Sequence, residues 1–164
     1  MSSSGKTKTS APKIKKASVV LVRTEWNAPV VEVLYAGCKK ILSEEKAVLA
    51  GDILVPGAFE ISFAIKKYWE ETKHAKSNRP EAFIALGCVI RGNTPHFEYV
   101  CRAVTDGIVQ LNLSLPVPVI FGVLTVDNLE QARERTGGSH GHKGEEAAHT
   151  ALKMISFCRT LRKT

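Results

Sequence analysis

The 164-residue chain has 44% hydrophobic and 24% charged residues and a formal net charge of +7, a balance that suits a folded domain with a sizeable core and excludes a wholly disordered or coiled-coil chain. Five lysines and no acidic residue fall in residues 1–16, so the remainder carries 18 basic against 16 acidic groups, or +2, and specific nucleic-acid binding by the body of the chain is not indicated. No apolar run approaches the roughly eighteen residues that span a bilayer, and the N-terminus lacks the apolar stretch of a secretory signal, so a soluble, cytoplasmic protein without membrane association is expected.

Residues 1–16, MSSSGKTKTSAPKIKK, offer too little apolar surface to offset the entropy of ordering and read as a mobile arm ahead of a single domain at residues 17–164. Such an arm is either a solvated tail or a handle for polyanions, and it lacks the arginines of a mitochondrial presequence. From residue 17 the chain repeats one pattern: a short β-branched run, a turn, then apolar residues at helical spacing. ASVVLVR, residues 17–23, predicts the first strand. Asn27 can cap the helix that follows, in which Val30, Val31, Leu34, Gly37, Cys38, Ile41 and Leu42 recur at three and four residues. GDILV predicts the second strand and runs into Pro56 and Gly57; residues 58–72 then read as a helix carrying Phe59, Phe63, Tyr68 and Trp69.

A polar linker at residues 73–81 leads to AFIALGCVI, apolar on both faces as a central parallel strand should be. Beyond Pro95, the positions Phe97, Val100, Cys101, Val104, Ile108 and Leu111 form one helical stripe. VPVIFGVL predicts the fourth strand, and Asp127 with Glu130 has capping-box spacing for a short helix that reaches Arg135. TGGSHGHKG interrupts the pattern, and a last helix at residues 145–161 carries Ala147, Ala148, Ala151, Leu152 and Ile155 at core spacing. The four cysteines, Cys38, Cys88, Cys101 and Cys158, have neither zinc nor CxxC spacing and read as reduced core thiols.

Strands alternating with helices imply βαβ crossovers, hence an α/β fold with a mainly parallel four-stranded sheet and helices on both faces. Ligands in such folds bind beyond the carboxyl ends of the strands, which directs attention to the turns RTEWN, PGAFE, RGNTPH and FGVLT. In RGNTPH, Pro95 suits a first helical turn, Asn93 or Thr94 can cap it, and the helix N-terminus suits an anion such as phosphate. His96 beside it either fills the helix start or passes a proton near neutrality. Glu60 in PGAFE is favoured by the helix dipole whether or not it accepts from a polyhydroxylated ligand. Trp26 is either a core plug or a platform for a flat heterocycle.

Arg133, Arg135, His140, His142 and Lys143 surround the glycines of RERTGGSHGHKGEE, which suits a loop closing on an anion through arginine. The two histidines have no third ligand at convincing spacing, so no metal is expected. The glycines follow neither a GxGxxG nor a Walker pattern, which disfavours dinucleotides and nucleoside triphosphates.

Taken in order and spacing, VPGAFEI, ALGCVIRGNTPHFEYVC, PVPVIFGVLTVDNLEQARERTGG and HKGEEAAHTALKM resemble the 6,7-dimethyl-8-ribityllumazine synthase family of riboflavin biosynthesis over residues 17–158. The resemblance implies a flavodoxin-like three-layer αβα subunit in a homo-oligomer, a pentamer or an icosahedral assembly of pentamers, with active sites between subunits and no metal or organic cofactor. It implies a transferase with two small-molecule substrates, one phosphorylated: 5-amino-6-ribitylamino-2,4(1H,3H)-pyrimidinedione condenses with 3,4-dihydroxy-2-butanone 4-phosphate to give the lumazine, phosphate and water.

By position, the resemblance places Trp26 against the pyrimidine ring, Ala58, Phe59 and Glu60 at the ribityl chain, and Val89 and Ile90 beside the ring. Asn93 and Thr94 fall at the phosphate with Arg135 gripping it, and His96 at the proton transfer. Phe121, Lys143 and Glu146 are expected from the adjacent subunit. Glu25 stands where the family usually has a basic or small residue, so its carboxylate either alters the ring site or points to solvent. Ser62 replaces a common proline with little expected consequence, and the linker at residues 76–80 is long and expected on the surface.

Overall fold

The four β-branched runs all become strands in a computed structural model that describes Ile14 and residues 16–162. They are β1 (Ser18–Thr24), β2 (Val48–Val55), β3 (Ala82–Ile90) and β4 (Val119–Val126). Every pairing is parallel, in the order β2-β1-β3-β4. The connections are α1 (Ala28–Glu44), a 3₁₀ turn (Ala58–Glu60) leading into α2 (Ile61–Thr72), α3 (His96–Ser114), the short α4 (Leu129–Glu134) and a terminal α5 (Lys143–Leu161). Between α4 and α5 lies a small antiparallel hairpin, β5 (Thr136–Gly138) and β6 (Gly141–His142). The arm expected at residues 1–16 lies outside the described residues apart from Ile14 and Lys16, and Ile14 is buried against the core.

The alternation of side chains along β1 builds two cores. Val19 and Leu21 pack with α1 and α5, whereas Val20 and Val22 pack with α2 and α3, as the two-residue period of a strand requires. Both central strands, β1 and β3, are covered on each face, which explains their unbroken apolar sequences. The result is an α/β flavodoxin-like three-layer sandwich whose sheet is parallel throughout.

The seven expected core positions of α1 are its seven buried residues, Val30 to Leu42, and Leu34 is fully enclosed; truncating such a leucine to alanine costs about 2–5 kcal/mol. The α1 and α5 helices approach closely because Gly37 lies against the His142 ring and Gly144 against the Leu34 carbonyl, where an added Cβ would sit 2.0 Å from the oxygen. On the other face Ser62, in the position where proline is common, abuts Gly107 of α3 and keeps the two helices close. The linker is exposed over residues 74–79, whereas Pro80, also expected at the surface, is buried.

Several local expectations are corrected. Asn27 occupies the N-cap position of α1 but makes no side-chain cap; its left-handed backbone (φ 59°) turns the amide away from the helix, toward β3. Capping at α4 is shifted by one residue from the expected Asp127–Glu130 pair: Asn128 accepts from the Gln131 N–H, and the Gln131 side chain accepts from the Asp127 N–H. Neither Asn93 nor Thr94 caps α3 through its side chain, because Pro95, itself in helical geometry, holds the cap position.

All four cysteines are free, but only Cys38 and Cys88 are core thiols; Cys101 and Cys158 are half-buried. Burial pushes the Cys38 thiol up to about 12 and that of Cys88 to about 11. Among the described residues no helix is long and apolar enough to cross a membrane.

Candidate functional site

In the strand order 2-1-3-4 the chain leaves β1 toward one side and returns through β3 on the other, so the carboxyl ends of β1 and β3 diverge into a crevice. A cleft of about 370 Å³ opens there. Thr24 enters it from the end of β1, and Trp26 and Asn27 from the turn that follows. Gly57, Ala58, Phe59 and Glu60 enter from the turn after β2, and Cys88, Val89 and Ile90 from the end of β3. Gly92, Thr94, His96, Phe97 and Val100 close it from the start of α3.

The indole of Trp26 is two-thirds exposed, so it is a cleft wall and not a core plug. Its backbone is held on both sides: its N–H donates to the Pro56 carbonyl at 3.1 Å, and its carbonyl accepts from the Thr24 hydroxyl at 3.2 Å. Asn27 then donates through Nδ2 to the Cys88 carbonyl at 2.7 Å, tying the first turn to the third strand. Gly57 lies beneath the ring, where an added Cβ would approach Trp26 to 3.5 Å and the Glu60 carboxylate to 3.2 Å. One Glu60 oxygen already accepts from the Gly57 N–H at 3.0 Å, which fixes the carboxylate with lone pairs left for a ligand. Glu25 is exposed and does not line the cleft.

His96 is the first residue of α3 and is exposed at the cleft mouth. No side chain caps this helix, and His96, Phe97 and Val100 of its first turns line the cleft, so the positive end of its dipole lies at the same opening. Thr94 lines the cleft; Asn93 is exposed in the preceding loop and does not. The apolar stripe of α3 is buried only from Val104 onward, and its first positions, Phe97, Val100 and Cys101, are half-exposed because Phe97 and Val100 face the cleft.

Phe121, Arg135, Lys143 and Glu146 are elsewhere. They line a second hollow of about 570 Å³ along β4, one of the two edge strands of the sheet. Arg135 therefore groups with the three residues expected from a neighbouring subunit, and not with His96 and Thr94 of its own chain. It follows α4, with Nη1 donating to the Gln131 carbonyl at 3.0 Å, and its carbonyl accepts from the Lys143 N–H at 2.8 Å. Lys143 in turn pairs with Glu146 at 2.7 Å. The hairpin turns on Gly137 and Gly141, both at positive φ, and so brings the end of α4 to the start of α5.

The two loop histidines are drawn apart. His142 lies under Gly37, and its Nδ1 accepts from the Glu145 N–H, whereas His140 sits beside Ser139 and Glu134. Among the described residues no three His, Cys, Asp or Glu side chains cluster as a metal would need. Thr24, Asn27, Gly57 and Gly92 lie within turns the sequence singles out but are not among its candidate ligand-binding residues, and Cys88, Phe97 and Val100, read there as core positions, also line the cleft.

The profile of the 6,7-dimethyl-8-ribityllumazine synthase family matches residues 16–159. A 6,7-dimethyl-8-ribityllumazine synthase of Porphyromonas gingivalis is 47% identical over 153 residues, covering 92% of this chain and 91% of its own. One from Cytophaga hutchinsonii is 45% identical over 147 residues, with 88% and 89% covered, and one from Parabacteroides distasonis 43% identical over 151, with 90% of each covered.

Proposed function

From the premise that the chain belongs to the 6,7-dimethyl-8-ribityllumazine synthase family, we propose that its active site is shared between two subunits, the switch-point cleft of one and the β4 edge of the next. The enzyme is a transferase of riboflavin biosynthesis. It condenses 5-amino-6-ribitylamino-2,4(1H,3H)-pyrimidinedione with 3,4-dihydroxy-2-butanone 4-phosphate, giving 6,7-dimethyl-8-ribityllumazine, phosphate and water. The observation that carries the shared site is the division of its candidate residues: Trp26, Glu60, Thr94 and His96 converge on one cleft, while Phe121, Arg135 and Lys143 converge on another hollow of the same chain.

In this reading the pyrimidine stacks on Trp26 between Val89 and Ile90, and its ribityl hydroxyls donate to Glu60 beside Ala58 and Phe59. Phe121 of the partner subunit covers the exposed ring face. Asn93, Thr94 and the α3 N-terminus receive the phosphate, which Arg135 of the partner subunit clamps, with Lys143 and Glu146 of the partner subunit alongside. The catalytic domain is residues 17–164, in a homo-oligomer built head to tail, a pentamer or a closed shell of pentamers, in the cytoplasm.

The primary amine of the pyrimidine attacks the ketone carbon and its proton passes to the oxygen; loss of water gives an imine. Removal of the adjacent C–H proton then expels phosphate, which leaves with the electron pair of its C–O bond. The resulting enol becomes a ketone, the ribitylamino nitrogen closes on it, and a second water departs. Each stage moves a proton, and His96 at the mouth of the cleft accepts and returns it, a role that contributes about 10²–10⁴ in rate. Arg135 and the helix terminus stabilise the leaving phosphate. Holding two substrates in register contributes about 7–11 kcal/mol.

Mixing the two substrates with the protein tests the reading by lumazine absorbance and fluorescence. A rate no greater than the protein-free control overturns it.

A further inference from the structure

One guanidinium group, next to the cleft but not on its wall, binds together three segments that the reaction needs in register. Arg91 is the first residue after β3, and its N–H donates to the Val126 carbonyl at the end of β4 at 2.9 Å. Its Nε donates to Asp127 Oδ1 at 2.8 Å, its Nη1 to Glu98 in the first turn of α3, and its guanidinium stacks 4.1 Å from the Phe97 ring centroid. His96 and Thr94 lie between Arg91 and these partners in the chain, and Arg91 itself is absent from the cleft lining.

The charges around this group matter as much as its geometry. Glu98 and Asp127 are both exposed near the terminus that receives the phosphate, and Arg91 is the cation paired with each. Hydrogen bonds from Arg91 hold both carboxyls below the usual carboxylate range. Stripped of Arg91, Glu98 in the first turn of α3 and Asp127 after β4 would both lose their paired cation, and their charge would repel an incoming phosphate, which Coulomb repulsion penalises even at the high effective dielectric of a surface.

We propose that Arg91 is a positioning residue for the phosphorylated substrate, acting by neutralising Glu98 and Asp127 beside the first turn of α3 so that the phosphate meets only the helix terminus and its ligands. This rests on the site assignment above. It separates Arg91 from the phosphate ligands: its charge is spent on two carboxylates of its own chain.

Steady-state kinetics of Arg91→Gln in the full-length protein test it. The KM for the butanone phosphate is expected to rise about fivefold or more, with the KM for the pyrimidine changing less than about twofold, and the effect is expected to shrink as salt is added. Adding Glu98→Gln and Asp127→Asn to Arg91→Gln is expected to restore the KM to within about twofold of wild type, a rescue that a purely structural loss would not show.

If Arg91→Gln does not fold, the Glu98→Gln/Asp127→Asn variant with Arg91 intact is expected to lower the KM for the phosphorylated substrate by exposing an unpaired cation. An unchanged KM in either experiment, or a parallel loss of kcat and both KM values without rescue, overturns the inference. Wild-type protein without turnover would instead remove the site assignment, and the inference with it.

Discussion

The side-chain amide of Asn27 spans the switch point of the sheet and donates to the Cys88 carbonyl at 2.7 Å, so the turn that presents Trp26 is fastened to the strand that ends at the cleft. Because Asn27 holds φ 59°, two properties are combined in one residue. Asn27→Gly loses only the hydrogen bond, at about 1 kcal/mol. Asn27→Ala loses the bond and adds left-handed strain, for about 2–3 kcal/mol in all. Urea unfolding separates them; equal stabilities would show that the backbone conformation carries no cost.

Subunit mixing tests the shared site. His96→Ala and Arg135→Ala are each expected to reduce turnover severely. Refolded together in equal amounts, they should recover activity, because about a quarter of head-to-tail interfaces then join an intact cleft to an intact β4 edge. Mixtures no more active than the separate variants would place both residues in a site within one chain.

Glu81 gives a pH dependence. Burial alone would raise its carboxyl, but two hydrogen bonds from Arg159, at 2.8 and 2.6 Å, and one from the Ser18 N–H outweigh it and hold the group below the usual range. A depressed folded pKa contributes stability that is complete above the unfolded value, about 4.3, and is lost as pH falls through the folded one. Glu81→Gln is therefore expected to cost about 1–2 kcal/mol at pH 7, since the pair is partly open to water. The gap to wild type should close below about pH 4. A gap independent of pH would assign the effect to packing.

Gly144→Ala drives a Cβ into the Leu34 carbonyl, a backbone atom that cannot rotate away. A loss of about 2 kcal/mol or more is expected, with activity falling further because Lys143 and Glu146 ride on the same turn. At Gly92 a Cβ meets nothing within 4 Å, so Gly92→Ala is the stability control; equal midpoints for the two would contradict the close approach of α1 and α5.

The parts of the fold legible in the sequence are those where burial repeats with a period. The α1 stripe from Val30 to Leu42, the α5 positions Ala147 to Ile155 and the continuous run of β3 all report contacts within the chain. The hairpin of β5 and β6 was not legible, because five residues of Gly, Thr and His carry no period. Asn27 was misread because a cap and a cross-strand donor call for the same amide; the backbone angle alone decides. The cleft residues were found as turns, but the separation of Arg135 from His96 was not, since chain order does not say which edge of a sheet a loop will reach. The role of Arg91 was not legible because one of its two carboxylate partners, Asp127, meets it only once β3 and β4 pair.

In the proposed head-to-tail arrangement, each chain contributes one cleft and one β4 edge that lie on different sides of its own sheet. A linear row of such chains always leaves a cleft unfilled at one end and an edge unused at the other, so it holds one working site fewer than it has members. A ring has no ends. In that arrangement, closure brings the number of working sites up to the number of chains without any residue changing.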